Sequence, residues 1–158
     1  MAVKTREVEI DGGLVSDFKV TDHFWLSEFR LYWPEKVPKY DRFPVVCQDL
    51  RTVRQFAQDL EVLRRQFGKP VRITDCLRPT WVLRHIPGAA KNSRHQTRWL
   101  QEGVMAVDLK IPGVSLKRVF DACDKLMGAA EAVRMTQGGL GLYEDHVHLD
   151  NRGTRARW

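Results

Sequence analysis

Apolar residues recur at three- and four-residue steps from about Cys47 to Phe67, at Leu50, Val53, Phe56 or Ala57, Leu60, Leu63 and Phe67. That spacing puts them on one face of a helix. Gly68 ends it and Pro70 follows as a stop signal. A second face reads Leu116, Val119, Phe120, Cys123, Leu126, Met127 and Ala130, with Ser115 placed to cap its start. Elsewhere the pattern alternates. Val71–Thr74 and Val104–Ile111 read as strands, and LGLY and HVHLD form two more around a Glu144–Asp145 corner after the Gly138-Gly139 turn. Residues 132–135 read as a further short strand. Residues 1–20 form an extended arm, a small hairpin or a loose lead-in around Gly12-Gly13. Thr21 or Ser27 caps a short helix held down by Phe24, Trp25 and Phe29. Residues 30–45 mix prolines with aromatics that need burial, which reads as an ordered loop. Residues 76–103 are irregular, and so long an irregular stretch inside a domain is usually functional. Helices and strands segregate, so the expected class is α+β: a small antiparallel sheet packed with helices, one domain over 1–158.

Composition narrows the classes. A chain of 158 residues can bury a core without staples. No window approaches the ~18 apolar residues of a membrane span, so membrane insertion is not expected. MAVKTREVEIDGG lacks the apolar core of a secretory signal, which implies synthesis in the cytoplasm. Cys47, Cys76 and Cys123 are odd in number and widely spaced, as reduced buried thiols would be. The net charge of +6 invites a nucleic-acid reading. However, the basic residues are scattered among acids and no nucleic-acid module signature appears, so no such partner is expected. A positive surface equally suits other polyanions, including a bacterial wall bearing anionic polymers.

The second half holds the chemistry. Asp108 sits inside VMAVDLKI, where the pattern asks for apolar residues. A buried carboxylate there needs a metal or an arginine, and the alternative is a solvent-facing side chain. His146 and His148 alternate and so share one face. His95 lies in a polar loop and would be unremarkable alone. Two imidazoles and a carboxylate, His95, Asp108 and His148, suit a catalytic zinc with three protein ligands. Asp145, three residues before His148, is placed to take a proton from water.

Four segments then match a known pattern. Ser93-Arg94-His95 followed by Gly103-Val104-Met105-Ala106-Val107-Asp108 resembles the S-x-H-x-x-G-x-A-x-D signature of the zinc D-Ala-D-Ala carboxypeptidase and L-Ala-D-Glu endopeptidase family, the peptidoglycan-cleaving relatives of hedgehog domains. Gly139-Leu140-Gly141-Leu142-Tyr143-Glu144-Asp145-His146-Val147-His148 is similar to its second signature. Ile73-Thr74-Asp75-Cys76-Leu77-Arg78 and His23-Phe24-Trp25-Leu26-Ser27-Glu28-Phe29 resemble its upstream segments. The resemblance implies a hedgehog-like fold, Zn2+ held by His95, Asp108 and His148, and Asp145 as general base. It also implies Arg78 as the group that orients substrate, unless it merely pairs with Asp75. His146 would assist at the carbonyl oxygen or hold Asp145.

The chain departs from the pattern at one place. His95 to Asp108 is a step of thirteen, six more than the family spacing, with the extra residues inside 96–102. A hairpin lengthened by three on each side would keep Asp108 on its face and raise a flap with Trp99 at its tip. The insertion could instead pull His95 out of reach, with His85 as a fallback ligand. Asp75 and Cys76 replace small residues of the pattern and alter the pocket. The expected function is a zinc peptidase acting on peptidoglycan stem peptides or cross-links, a phage or prophage lysin acting at the wall after release, and a monomer. The alternative is a catalytically weak or inactive relative that serves as a virion or tail module, with phage structural proteins as partners.

Overall fold

In the computed structural model, residues 4–31, 33, 37–38, 49–127 and 137–158 are described. The N-terminal arm is a hairpin of β1 (Thr5–Ile10) and β2 (Gly13–Phe18). Asp11 and Gly12 close it at φ 51° and 84°, the left-handed pair that a two-residue hairpin turn demands. Buried Asp17 ties the hairpin to the body, accepting from the Ser27 backbone N–H and hydroxyl and pairing with Arg6. Ser27 is therefore held by Asp17, in a 3-10 turn at Leu26–Glu28.

Helix α1 (Leu50–Phe67) starts where Asp49 accepts from the Thr52 N–H at 2.8 Å, a cap worth about 1 kcal/mol. Gly68, at φ 60°, ends it. Val53, Phe56, Ala57, Leu60 and Leu63 are buried, as the periodicity predicts, and Phe67 is partly so. Helix α2 (Leu116–Met127) buries Val119, Ala122, Cys123 and Met127. The expected helix start at Cys47, Ala130, most of the 30–45 loop and the strand at 132–135 lie outside the described residues.

Both helices pack on a five-stranded sheet of β3 (Arg72–Asp75), β4 (Ala106–Lys110), β5 (Gly139–Leu142), β6 (Val147–Asp150) and β7 (Ala156–Arg157). The strand order is β3-β4-β6-β5-β7, antiparallel except for β7, which runs parallel to β5. The fold is thus α+β, as patterning implies. β7 is a two-residue strand with no pattern to announce it. Ile73, Val107, Leu109, Leu140, Val147 and Leu149 face the helices and are buried. Side chains alternate along strands, so Asp108, His148 and Gly141 share the opposite face. The register lines them up, with Asp108 opposite His148 and Gly141 opposite His148.

The insertion does not lengthen a hairpin. It forms a 3-10 helix, Thr97–Glu102, ended by Gly103 at φ 70°. β4 begins only at Ala106, so there is no strand partner to extend. Trp99 is not at the tip of a flap: its indole N–H donates to the Ser93 carbonyl at 2.9 Å and the ring is half-buried. Residues 76–103 are also less irregular than expected. They include a 3-10 helix at Thr80–His85, and Leu77 and Val82 join a second small core with Leu31 and Val37. No helix among the described residues is long and apolar enough to cross a membrane.

Candidate metal centre

Asp108 on β4 and His148 on β6 are cross-strand neighbours, and His148 Nδ1 lies 3.0 Å from Asp108 Oδ1. His95 reaches them from a loop that is pinned like a strand. The Arg78 N–H donates to the His95 carbonyl at 2.7 Å, and the Thr97 N–H returns a bond to the Arg78 carbonyl. That pairing brings His95 Nε2 to 3.1 Å from Asp108 Oδ1 and 3.0 Å from His148 Nδ1. The six extra residues therefore leave His95 with the other two. All three side chains are buried, and their ligand atoms form the metal-capable cluster among the described residues.

The outer nitrogens decide which way the inner ones point. The Cys76 carbonyl lies 2.7 Å from His95 Nδ1 and can only accept, so Nδ1 carries the proton and Nε2 presents a lone pair. Asp150 Oδ2 lies 2.9 Å from His148 Nε2 and leaves the Nδ1 lone pair facing inward in the same way. Two lone pairs and a carboxylate oxygen thus meet with no proton of their own. Without an ion, protons on the imidazoles take its place: burial pushes the Asp108 carboxyl up, but the charge of a protonated His95 and hydrogen bonds from the protonated rings hold it well below the usual carboxylate range. Burial pulls His148 down, and its bonds to Asp108 and Asp150 outweigh that and raise it. Such a cluster asks for a cation. Tetrahedral zinc with ligands at ~2.0–2.2 Å separates its donors by about 3.3 Å, within a few tenths of the triangle found here. Oriented imidazoles with buried partners are the usual outer shell of such a centre. The donor set fits zinc.

Asp150 organises that outer shell. It is fully buried and accepts from the Gly139 and Arg152 N–H groups at 3.0 Å, and from Arg152 Nε at 2.8 Å. Burial would raise its carboxyl, but hydrogen bonds from Arg152 and His148 hold it well below the usual range. The two glycines of β5 make room. A Cβ on Gly139 would collide with Asp150 Oδ2, and one on Gly141 would meet Trp158 Nε1 at 2.5 Å. Trp158, brought back by β7, sits with its ring 5.3 Å from that of His148 and donates to the Tyr143 hydroxyl.

These groups line a cavity of about 570 Å³. Its lining joins His95, Asp108, His148 and Arg78 to residues 86–90 and 92–94 and to Tyr143, His146, Arg152 and Trp158. His146 stacks on Tyr143 and points Nε2 toward Asp108 Oδ1 at 3.6 Å. Asp145 is exposed, at 84% of its side chain, and lies outside the cavity wall. It touches the site through His146, Oδ1 to Nδ1 at 2.7 Å. Arg78 lines the cavity and is held by Asp75 through Nε and Nη2, with Nη2 also 3.5 Å from Asp108 Oδ2. His85 packs edge-on against Trp81 and takes no part in the cluster.

The sequence pattern assigned no role to Asp150, Arg94, Arg152 or Trp158. For Asp150 the signal was present: two residues after His148 on a strand, it shares His148's face. Trp158 had none, since a two-residue edge strand carries no period.

Comparison with known proteins adds one finding. A family model described as Peptidase M15 matches residues 22–150. No curated protein and no solved structure matches the chain.

Proposed function

The chain belongs to the peptidase M15 family, whose members are metal-dependent peptidases, and on that premise we propose that it is a zinc peptidase acting on peptidoglycan stem peptides or cross-links. The observation that carries this reading is the meeting of His95 Nε2, Asp108 Oδ1 and His148 Nδ1 at 3.0–3.1 Å, with each ring's other nitrogen already engaged. These three side chains would hold the ion. Zinc bound there supplies a Lewis acid for the scissile carbonyl and lowers the pKa of water. The chain's own residues do the rest. His146 presents Nε2 to the cavity while Asp145 steadies Nδ1, so the two move the proton as a pair, with Asp145 as the base that keeps the imidazole receptive. Arg78 positions the peptide with Nη1, which engages neither Asp75 nor Asp108. Tyr143 and Trp158 offer aromatic faces to the substrate along the cavity lining. The surplus of positive charge favours contact with an anionic wall and agrees with a lysin-type role, in phage or prophage, as a single domain.

The test is digestion of purified peptidoglycan by zinc-loaded protein, with mass spectrometry of the released peptides. New amino termini are expected, lost in Asp108→Asn and His148→Ala and on chelation. Folded protein that holds about one zinc per chain and releases nothing from walls of several stem-peptide chemistries overturns the reading.

A further inference from the structure

Three arginines line the cavity, and they differ in what holds them. Arg78 is bound by Asp75 and approaches Asp108. Arg152 is bound by Asp150 through Nε. Arg94 meets no carboxylate among the described residues. Among the described residues its guanidinium meets only the face of Trp99, with Cζ 4.1 Å from the ring centroid, and its Nε is buried without an acceptor. Trp99 cannot swing away, because its indole N–H is bonded to the Ser93 carbonyl and Arg98 also lies over its ring at 4.6 Å. The 91–99 loop is stitched further by bonds from Gln96 Nε2 and Arg98 to the Lys91 carbonyl. The inserted 3-10 helix thus builds a rigid aromatic support for one uncompensated cation.

An uncompensated guanidinium on a residue that lines the cavity is stabilised by an anion, and its planar donors match a carboxylate. Arg94 adjoins His95 in the chain, so its Cα lies ~3.8 Å from that of a cluster residue, and its side chain covers about one peptide residue. We propose that Arg94, braced by Trp99, recognises a free carboxylate on the substrate peptide within about one residue of the scissile amide, and that Arg78, already committed to Asp75, is not the carboxylate clamp. This inference rests on the peptidase reading. It assigns the site's selectivity to the acid rather than the amide form of the peptide.

The experiment uses muropeptides from one wall digest, half of them amidated with carbodiimide and ammonia. Two readouts are taken for wild type and Arg94→Gln: cleavage by zinc-loaded protein, and binding to metal-free protein followed by Trp fluorescence. Wild type should prefer the acid form by about tenfold to a hundredfold, the scale of one charge-assisted hydrogen-bonded pair. Arg94→Gln should bring that preference to within about twofold, with zinc content and melting temperature unchanged, because the loss is confined to one pair. A Trp99→Phe control should remove most of the fluorescence change. Should Gln destabilise the loop, Arg94→Met keeps the apolar stem over Trp99 and is read instead. An undiminished preference for the acid form in whichever variant folds overturns the assignment, as does a wild type with no preference. The metal-free binding readout stands apart from catalysis. Absent cleavage with Arg94-dependent binding therefore sinks the peptidase reading alone.

Discussion

Asp150→Asn separates orientation of a ligand from simple burial of charge. Asn keeps one oxygen for the Gly139 and Arg152 N–H groups. Its amide nitrogen then replaces the oxygen that faces His148 Nε2 at 2.9 Å and Arg152 Nε at 3.0 Å, setting donors against donors. His148 relieves this by moving its proton to Nδ1, the atom that points at Asp108, and the inward lone pair is lost. Loss of such an outer partner typically weakens metal affinity about 10–100-fold, or ~1.4–2.7 kcal/mol. A stability cost comes with it, because Arg152 loses its counter-charge. Breaking a fully buried pair costs about 3–5 kcal/mol, and the partly exposed Arg152 head puts this case below that. A domain with a usual ~5–15 kcal/mol remains folded. The assay is zinc competition against a chromophoric chelator at constant pH, with circular dichroism of the metal-free protein beside it. Arg152→Met is the control: it should lower the melting temperature yet leave zinc affinity within about threefold, since the His148–Asp150 contact survives. A folded Asp150→Asn protein that binds zinc within about threefold of wild type would refute the orienting role.

Two further outcomes follow from other parts of the molecule. Gly141→Ala should drive the Trp158 indole off the cavity, because the new Cβ would stand 2.5 Å from Trp158 Nε1 and 2.9 Å from Tyr143 Cε2. Zinc stoichiometry should be kept while cleavage falls and Trp emission shifts to the red, and unchanged emission would show that the strand end yields instead. Glu61 gives a pH signature away from the metal centre. Burial raises its carboxyl, but hydrogen bonds from Thr21 and His23 outweigh this and lower it below its ordinary value of 4.5. A carboxyl depressed in the folded state adds stability above its unfolded pKa and loses it as pH falls through the folded one. Melting temperatures of wild type and Glu61→Gln should therefore differ most above pH 4.5 and converge below it, and a constant difference across pH 3–7 would contradict the assignment.

Much of this molecule is written locally. The apolar faces of α1 and α2, the caps at Asp49 and Gly68, and the alternation that places Asp108 and His148 on one face of their strands all depend on neighbours within a few residues. Period and turn chemistry are properties of the chain itself, so the sequence alone determined an α+β fold and named the three residues that converge. The rest depends on pairings between segments far apart in the chain, which carry no period. The six extra residues after His95 allowed either a flap or a displaced histidine; the bond from the Arg78 N–H to the His95 carbonyl, seventeen positions away, decided for neither. Trp158 returning over Gly141, and the lack of any carboxylate beside Arg94 among the described residues, were decided the same way. Which charge finds a partner, and which is left for a ligand, is settled only when the strands and loops close on one another.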